Sequence, residues 1–128
     1  MILVLAGTRD GRQLAAKLAE AGYAVMVSVV SQYGKELAAD PKLLVNAGPL
    51  DREGLEQLVR RRGVRAIVDA SHPYAVNVSA NAIAAAEAGG VCYLRYERPA
   101  APLPDYDKLI QASDSRQAAK LAAEWGPV

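Results

Sequence analysis

Apolar positions in this chain come in short runs that are separated by segments of helical spacing. The opening run, residues 1–6, is apolar without interruption, which is the pattern of a parallel strand buried on both faces. Four more strand-like runs follow it, at 24–30, 43–45, 66–69 and 91–96. Strands that alternate with helices predict an α/β fold, here a doubly wound, mainly parallel, Rossmann-like sheet in three α/β/α layers.

The segments between the runs have helical periodicity and end at typical stop signals. Leu14, Ala15, Leu18 and Ala19 recur on one helical face until Gly22, a residue type that commonly ends helices. Further helices are predicted at 31–40, from the capping residue Asp51, at 76–88 before Gly89 and Gly90, and at 115–125.

Residues 97–104 interrupt this rhythm, because three of the seven prolines fall there and proline fits no regular element. The segment is predicted to be a linker or a lid. With 128 residues, the chain is expected to form one α/β domain over residues 1–128. Pro127 and Val128 suit the start of another strand, so we expect the sequence to be the first domain of a longer protein.

Composition narrows the range of partners. Lys and Arg number 15 and Asp and Glu 14, a net charge of +1, so no long-range field favours nucleic acid. The arginines at 60–62 end a predicted helix, where cations complement the helix dipole.

No apolar run approaches the roughly 20 residues that span a bilayer, and a basic leader is missing. The lone cysteine, Cys92, falls in an apolar run and predicts a buried thiol in a reduced, cytoplasmic protein.

The densest group of reactive side chains lies at the end of the fourth predicted strand. Asp69, Ser71, His72 and Tyr74 fall within six residues, and His72 is the only histidine. Ligands of an open parallel sheet bind outside the carboxyl ends of its strands, which favours a binding site here. Pro73 should keep His72 out of the helix that follows.

A simpler interpretation of the same cluster is structural. Asp69 and Ser71 can cap the next helix while His72 and Tyr74 cover the sheet edge, and we expect capping in either case. Zinc is not predicted, because one histidine and one cysteine cannot complete a zinc site. Nucleophilic catalysis by Ser71 is not favoured, since the glycines of a nucleophile elbow are missing.

The first strand-to-helix turn is the second candidate site. Gly7 would let the backbone approach a ligand, and the helix N-terminus behind it attracts phosphate. Thr8 offers a hydroxyl and Arg9 a positive charge. The spacing from Gly7 to Gly11 lacks the middle glycine of the dinucleotide fingerprint, so an ordinary tight turn is the alternative.

The end of the second strand bears on the choice of nucleotide. NAD-binding domains place an Asp or Glu there for the ribose hydroxyls, whereas this chain has Ser31 and Gln32. Without an acid a 2′-phosphate is not repelled, and Lys35 could balance its charge. The pattern favours NADPH, with NADH as the other candidate cofactor and an ordinary polar loop as the alternative.

Two arginines, Arg95 and Arg98, lie at the end of the fifth predicted strand. Planar guanidinium groups suit carboxylates, so an acidic substrate or a partner domain is one interpretation of this pair. Pairing with Glu97 or Asp105 is the other.

Several of these segments together resemble one family, the precorrin-6A reductases of cobalamin synthesis. The matching segments are 2–8, 69–75 with 79–82, and 93–99, so the resemblance covers essentially the whole chain. It implies transfer of hydride from NADPH or NADH to a double bond of a precorrin-6A or cobalt-precorrin-6A macrocycle, a corrinoid precursor. It also implies a second α/β domain, absent from this sequence, that forms the other side of the cleft.

The resemblance also implies roles for the matching residues. The nucleotide and the substrate would lie between the first strand-to-helix turn, the cluster at 69–74 and the two arginines. Reduction further needs a proton, for which His72 and Tyr74 are the catalytic candidates, with solvent or the macrocycle itself as the alternative source. Together with the residues argued above, the expected binding residues are Gly7, Thr8, Arg9, Ser31, Gln32, Ser71, His72 and Pro73 for the cofactor, and Arg95 and Arg98 for the substrate.

Other functions make different demands on the sequence. A short-chain dehydrogenase or epimerase needs a Tyr-x-x-x-Lys pair, and no tyrosine here precedes a lysine by four positions. A non-catalytic NAD(P)-binding or interaction domain stays open as the alternative to a reductase.

Overall fold

The apolar runs form one five-stranded sheet in the computed structural model. The strands pair in the order β3-β2-β1-β4-β5, and every pair is parallel. This confirms the predicted Rossmann-like fold class and all five strands, whose ends shift by one or two residues at most. The bounds are β1 Ile2–Leu5, β2 Val25–Val29, β3 Leu44–Ala47, β4 Ala66–Asp69 and β5 Cys92–Arg95.

The structure describes residues 1–31, 41–97, 105, 107 and 109–125. The chain divides into two compact units, Met1–Arg98 and Pro99–Val128, and the sheet belongs to the first. Several predictions lie outside the described residues: the helix after Ser31, the proline-rich segment, the roles of Gln32, Lys35 and Arg98, and the strand start at Pro127.

Four helices lie among the described residues. Asp51 caps α2 as predicted, since its carboxylate accepts a hydrogen bond from the Gly54 N–H at 2.7 Å. Gly90 ends α3 with a left-handed φ of 63°, a conformation that costs glycine little. None of these helices is both long and apolar enough to cross a membrane. Their bounds are α1 Arg9–Glu20, α2 Arg52–Arg62 and α3 Val76–Gly89 in the first unit, and α4 Ser115–Trp125 in the second.

Strand β1 is buried on both faces because helices cover both sides of the sheet. Leu3 and Leu5 pack in a cluster with residues of α2 and α3. Val4 and Ala6 point the other way and pack in a cluster with Ala15 of α1. Successive side chains of a strand alternate between faces, so one uninterrupted apolar run supplies both halves of the core.

The cysteine is exposed, which corrects the prediction of a buried thiol. Cys92 lies on β5, the strand at one edge of the sheet, and Leu94 two positions later is 53% exposed. Helix α1 packs on β1 and β2 and does not extend to this strand. The apolar run correctly predicted a strand but could not reveal that the strand lies at an edge.

Helix α1 approaches the sheet closely because its first turn contains a glycine. A Cβ built on Gly11 would lie 3.0 Å from the Cβ of Ala70 and 3.1 Å from the Cα of Ala6. Real side chains rarely tolerate such distances, so Gly11 fixes how closely α1 packs against β1 and the residue that follows β4.

We therefore expect Gly11→Ala to destabilise the protein by about 1–2 kcal/mol. Overpacking costs about 1–3 kcal/mol, whereas the better helix propensity of alanine returns about 1 kcal/mol at most. Urea unfolding measures the difference. Gln13→Ala, an exposed change in the same helix, is the control and should stay within about 0.5 kcal/mol of the parent. A Gly11→Ala variant as stable as the parent would contradict this account of the packing.

Candidate functional site

Two strand-to-helix turns meet at the centre of the sheet. In the order β3-β2-β1-β4-β5, the chain leaves β1 for α1 on one face and β4 for α3 on the other. Ligands of doubly wound sheets bind at this switch point. The turn after β1 comes so close to the turn after β4 that a Cβ on Gly7 would lie 3.4 Å from the His72 nitrogen and 3.5 Å from the Ser71 Cα.

The turn after β1 is organised by Thr8. Thr8 has extended backbone angles, φ −135° and ψ 166°, and its hydroxyl accepts a hydrogen bond from the Gly11 N–H at 3.3 Å. The same hydroxyl donates to the Ala70 carbonyl at 3.4 Å. Thr8 is thus the N-cap of α1 and a link to the β4 turn, while Arg9 lies exposed at the first helical position.

The turn keeps the last glycine of the dinucleotide fingerprint, although other residues stand at the first two glycine positions. When the last glycine of Gly-x-Gly-x-x-Gly is placed at Gly11, Ala6 and Thr8 stand at the first two glycine positions. The last glycine of that fingerprint serves close packing of helix and strand, and Gly11 does this here. The signal available in the sequence was the distance of Gly11 from the strand, rather than its distance from Gly7.

A fully buried carboxylate lies at the end of β4. Asp69 is 0% exposed, and burying a charge is costly unless it is paired and hydrogen-bonded. Oδ1 accepts hydrogen bonds from the Ser71 N–H at 3.0 Å, the Ser71 hydroxyl at 2.6 Å and Arg95 Nη1 at 3.0 Å; Oδ2 accepts from the Ser79 hydroxyl at 2.6 Å and the Tyr93 hydroxyl at 2.7 Å.

This network fixes the protonation states of its members. Burial by itself raises the pKa of Asp69, but the hydrogen bonds from Ser71, Ser79 and Tyr93 outweigh it and hold the pKa below the ordinary 3.8. Burial, the hydrogen bond to Asp69 and its negative charge raise the pKa of Tyr93 to about 12. At neutral pH Asp69 is therefore an anion and Tyr93 a neutral donor, and neither is suited to proton transfer.

The prediction that Asp69 and Ser71 cap the next helix is wrong. The N-cap of α3 is Ala75, and no side chain caps this helix. Asp69 lies too far ahead of that position, and its carboxylate turns inward to Ser71, Ser79 and β5 instead. Through the hydrogen bond from the Ser79 hydroxyl, Asp69 holds α3 against the sheet.

Ser79 and Tyr93 are partners of Asp69 that sequence reasoning missed. Ser79 precedes the buried Ala82 and Ala86 by three and seven positions, so it lies on the face of α3 that packs on the sheet. A hydroxyl on that face is the signal that could have found it. Tyr93 shares a face of β5 with Arg95, two positions later.

The guanidinium of Arg95 is directed at Asp69 and Ser71 at this edge of the sheet. Nη2 donates to the Ser71 carbonyl at 2.9 Å, and Nη1 donates to the Ser71 hydroxyl at 3.2 Å as well as to Asp69. Nε and Nη2 also donate to Glu97, at 3.3 and 3.1 Å. The pairing with Glu97 that stood as an alternative is present, and a substrate carboxylate would have to compete with these acceptors.

His72, Pro73 and Tyr74 form the exposed outer part of the β4 turn. The Tyr74 N–H donates to His72 Nδ1 at 3.2 Å, and the two rings lie 5.0 Å apart between centroids. As predicted, His72 lies ahead of α3. Because Nδ1 accepts this hydrogen bond, the proton of the neutral imidazole lies on Nε2.

A cleft of about 220 Å³ opens beside the two turns. Its wall is mostly apolar, with polar groups at Ser28, Ser71 and His72, a composition typical of small-molecule sites. Ser31 lies exposed just beyond β2. Sequence reasoning missed Ser28 and Gly48. The described lining residues are Leu5, Ala6, Gly7, Ser28, Val30, Gly48, Leu50, Leu55, Ser71, His72, Ala75 and Val78.

Within the part of the chain that the structure describes, no group of three or more His, Cys, Asp or Glu side chains could hold a metal ion. The buried carboxylate of Asp69 is instead satisfied by hydroxyl groups, a backbone N–H and a guanidinium.

The strand order and the meeting of the two turns define the class: a doubly wound α/β domain with its cleft at the switch point, as in Rossmann-like nucleotide-binding proteins. Residues 1–126 match the model of one family, described as Precorrin-6x reductase CbiJ/CobK. The chain belongs to this family.

Individual relatives agree with this assignment. The cobalt-precorrin-6A reductase of Priestia megaterium is 42% identical over 97% of this chain and 48% of its own length. That of Salmonella typhimurium is 37% identical over 98% and 48%. A solved structure described as CobK precorrin-6A reductase superposes with a TM-score of 0.75 at 32% identity, covering 95% of this chain and 46% of its own. This chain spans about half the length of the relatives it matches.

The raised pKa of Tyr93 predicts an alkaline loss of stability. The folded protein holds the Tyr93 proton up to about pH 12, whereas the unfolded chain releases it near the ordinary pKa of 10.0. The stabilisation is therefore complete below pH 10.0 and falls as the pH rises toward 12. We expect Tyr93→Phe to cost about 1.5–3 kcal/mol at neutral pH, the range for a hydrogen bond to a charged group.

Urea unfolding at a series of pH values measures this. The difference in the free energy of unfolding between the parent and the Tyr93→Phe variant should be constant at neutral pH. It should become smaller as the pH rises from 10.0 to about 12. Val59→Ala, which removes buried carbon but no titrating group, is the control and should keep a constant gap. A gap for Tyr93→Phe that is equally constant at high pH would show that Tyr93 does not hold its proton in this way.

Proposed function

We propose that this chain is the nucleotide-binding half of a precorrin-6A or cobalt-precorrin-6A reductase, an NADPH-dependent oxidoreductase of cobalamin biosynthesis. The family assignment supports the reaction, which is reduction of a carbon–carbon double bond of the macrocycle. The single observation that carries the nucleotide role is the close approach of Gly7 to the β4 turn beside the cleft. A second α/β domain would supply the remaining part of the site, and the enzyme would work in the cytoplasm.

The residues at the switch point fit a phosphorylated nucleotide. Helix α1 begins at Arg9, directly behind Gly7, and a helix N-terminus favours phosphate. Gly7 has no side chain to keep a pyrophosphate away, and the Arg9 side chain adds positive charge nearby. Gly7, Thr8 and Arg9 would thus hold the phosphates, while Ser71, His72 and Pro73 would lie towards the nicotinamide.

The preference for NADPH over NADH rests on the absence of Asp or Glu directly after β2 in the sequence. The described residues that line the cleft include no carboxylate, and β2 is followed by Val30 and Ser31. A carboxylate at this point would bind ribose hydroxyls and repel a 2′-phosphate. We propose that Ser31 and Gln32 bind the ribose side of NADPH.

The chemistry of the reduction divides between cofactor and protein. When bound, the reduced nicotinamide supplies the hydride. His72 is the proposed proton donor, because it is the one titratable side chain among the described residues that line the cleft; as an imidazolium it would give up one proton and become a neutral imidazole. Tyr74 is 89% exposed and does not line the cleft, so it is the second choice. Arg95 and Arg98 would lie towards the carboxylates of the macrocycle.

Nucleotide titration tests the cofactor role. By calorimetry the chain should bind NADPH with a Kd in the range of about 1 μM to 1 mM that is usual for enzyme substrates, and NADH more weakly. Gly7→Val should weaken NADPH binding at least about tenfold, because its branched side chain occupies the approach to the β4 turn. Gly7→Ala is the control: its Cβ meets no atom closer than 3.4 Å, so the fold is kept and the loss is smaller.

A chain that is folded but binds neither NADPH nor NADH would overturn the nucleotide role. Nucleotide binding without any reduction of precorrin-6A or cobalt-precorrin-6A by the protein that contains this chain would instead favour a non-catalytic NAD(P)-binding domain.

Replacement of His72 tests the proton donor. In the reductase that contains this chain, His72→Gln should lower kcat by about 10²- to 10⁴-fold, the usual contribution of general acid catalysis. Tyr74→Phe removes only the hydroxyl of an exposed ring and should change kcat less than about threefold. Oxidation of NADPH by the macrocycle, followed at saturating nucleotide, measures both. Full turnover by the His72→Gln variant would rule out His72 as the donor.

A further inference from the structure

The peptide group between Ser71 and His72 is held by the charged pair of Arg95 and Asp69. Arg95 Nη2 donates to the Ser71 carbonyl at 2.9 Å, and Asp69 accepts from both the N–H and the hydroxyl of Ser71. Arg95 and Asp69 are in turn paired at 3.0 Å. Every polar group of Ser71 therefore has a partner in this network.

Holding the Ser71 carbonyl also orients the nitrogen of His72. The two atoms belong to one planar trans peptide, in which the C=O and the N–H point in opposite directions. With the carbonyl directed at Arg95 on β5, the His72 N–H is directed away from β5. The His72 nitrogen is also the atom nearest to a Cβ built on Gly7.

We propose that Arg95 and Asp69 are positioning residues of the nucleotide site: they turn the Ser71–His72 peptide so that its N–H donates to the bound NADPH. This inference rests on the proposed nucleotide role. It gives Arg95 a function within the protein in addition to its proposed position towards the carboxylates of the macrocycle.

The sheet does not rest on the Arg95 side chain alone. Backbone bonds hold the strand ends, since the Ala70 N–H donates to the Leu5 carbonyl at 3.0 Å and the Tyr96 N–H donates to the Asp69 carbonyl at 2.9 Å. The guanidinium adds hydrogen bonds to the hydroxyl and the carbonyl of Ser71, at the point where the chain leaves the sheet. Loss of the side chain should therefore disturb the turn more than the fold.

The geometry also calls for arginine rather than lysine. One guanidinium spans the Asp69 carboxylate, the Ser71 carbonyl and the Glu97 carboxylate. An ammonium is a point charge and cannot reproduce such a fork. Lysine at this position would keep the charge near Asp69 but not the hold on the peptide.

The test compares three variants by NADPH calorimetry. Arg95→Met should weaken NADPH binding at least about tenfold, and Arg95→Lys should restore only part of it, because a misplaced donor loses its hydrogen bond to the ligand. Glu97→Gln is the matched control. It removes the negative charge of the exposed partner of Arg95 and leaves Asp69 and Ser71 in place, so affinity should stay within about twofold.

Hydrogen exchange separates positioning from a purely structural role. In the Arg95→Met variant the amides of residues 70–72, 74 and 75 should exchange faster, while those of β1 and β2 keep their protection. Equal loss of protection throughout the sheet would mean that Arg95 only stabilises the fold. If Arg95→Met does not fold, the Arg95→Lys variant takes its place in both measurements.

Two outcomes distinguish the two proposals. If the parent chain binds no nicotinamide nucleotide, the proposed function fails and the positioning role with it. If the parent binds NADPH and the Arg95→Met variant binds it equally well, the nucleotide role stands and the positioning role is wrong.

Discussion

The buried carboxylate of Asp69 is the constraint on which the rest of the site depends. An unpaired buried charge would cost several kcal/mol, so the fold must bring donors to both of its oxygens. They come from three places: Ser71 in the turn, Ser79 on α3, and Tyr93 with Arg95 on β5. Satisfying one side chain therefore joins the turn, the helix above the sheet and the edge strand into one unit. Among the described residues no buried side-chain nitrogen or oxygen lacks a hydrogen-bond partner.

This arrangement separates the reactive side chains of the β4 turn into two groups. Asp69 and Ser71 point inward, and their polar groups are consumed by the network. His72 and Tyr74 point outward, where His72 lines the cleft. The group of reactive side chains that falls within six residues of the sequence is thus divided into an inner, hydrogen-bonded part and an exposed part. The low pKa of Asp69 and the high pKa of Tyr93 disfavour proton transfer by these two groups near neutral pH.

The turn after β1 has a threonine at the place of the middle glycine of the dinucleotide fingerprint. Thr8 caps α1 and also donates to Ala70 of the β4 turn. Gly7 allows the two turns to approach, and Gly11 allows the helix to pack closely. In this turn, therefore, one side chain links the two turns and two glycines leave room for close packing, although the standard fingerprint is incomplete.

The sequence by itself determined the elements, since strand and helix patterns depend on neighbours a few positions apart. Apolar residues 1–6 predicted a strand buried on both faces, and Asp51 predicted a cap that forms with Gly54, three positions away. The site needed the tertiary structure, because the partners of Asp69 lie up to 26 positions along the chain. The exposure of Cys92 was likewise decided by the position of β5 at the sheet edge. Local periodicity can establish which face of a strand is apolar, but only the strand order decides which side chains a buried carboxylate will meet.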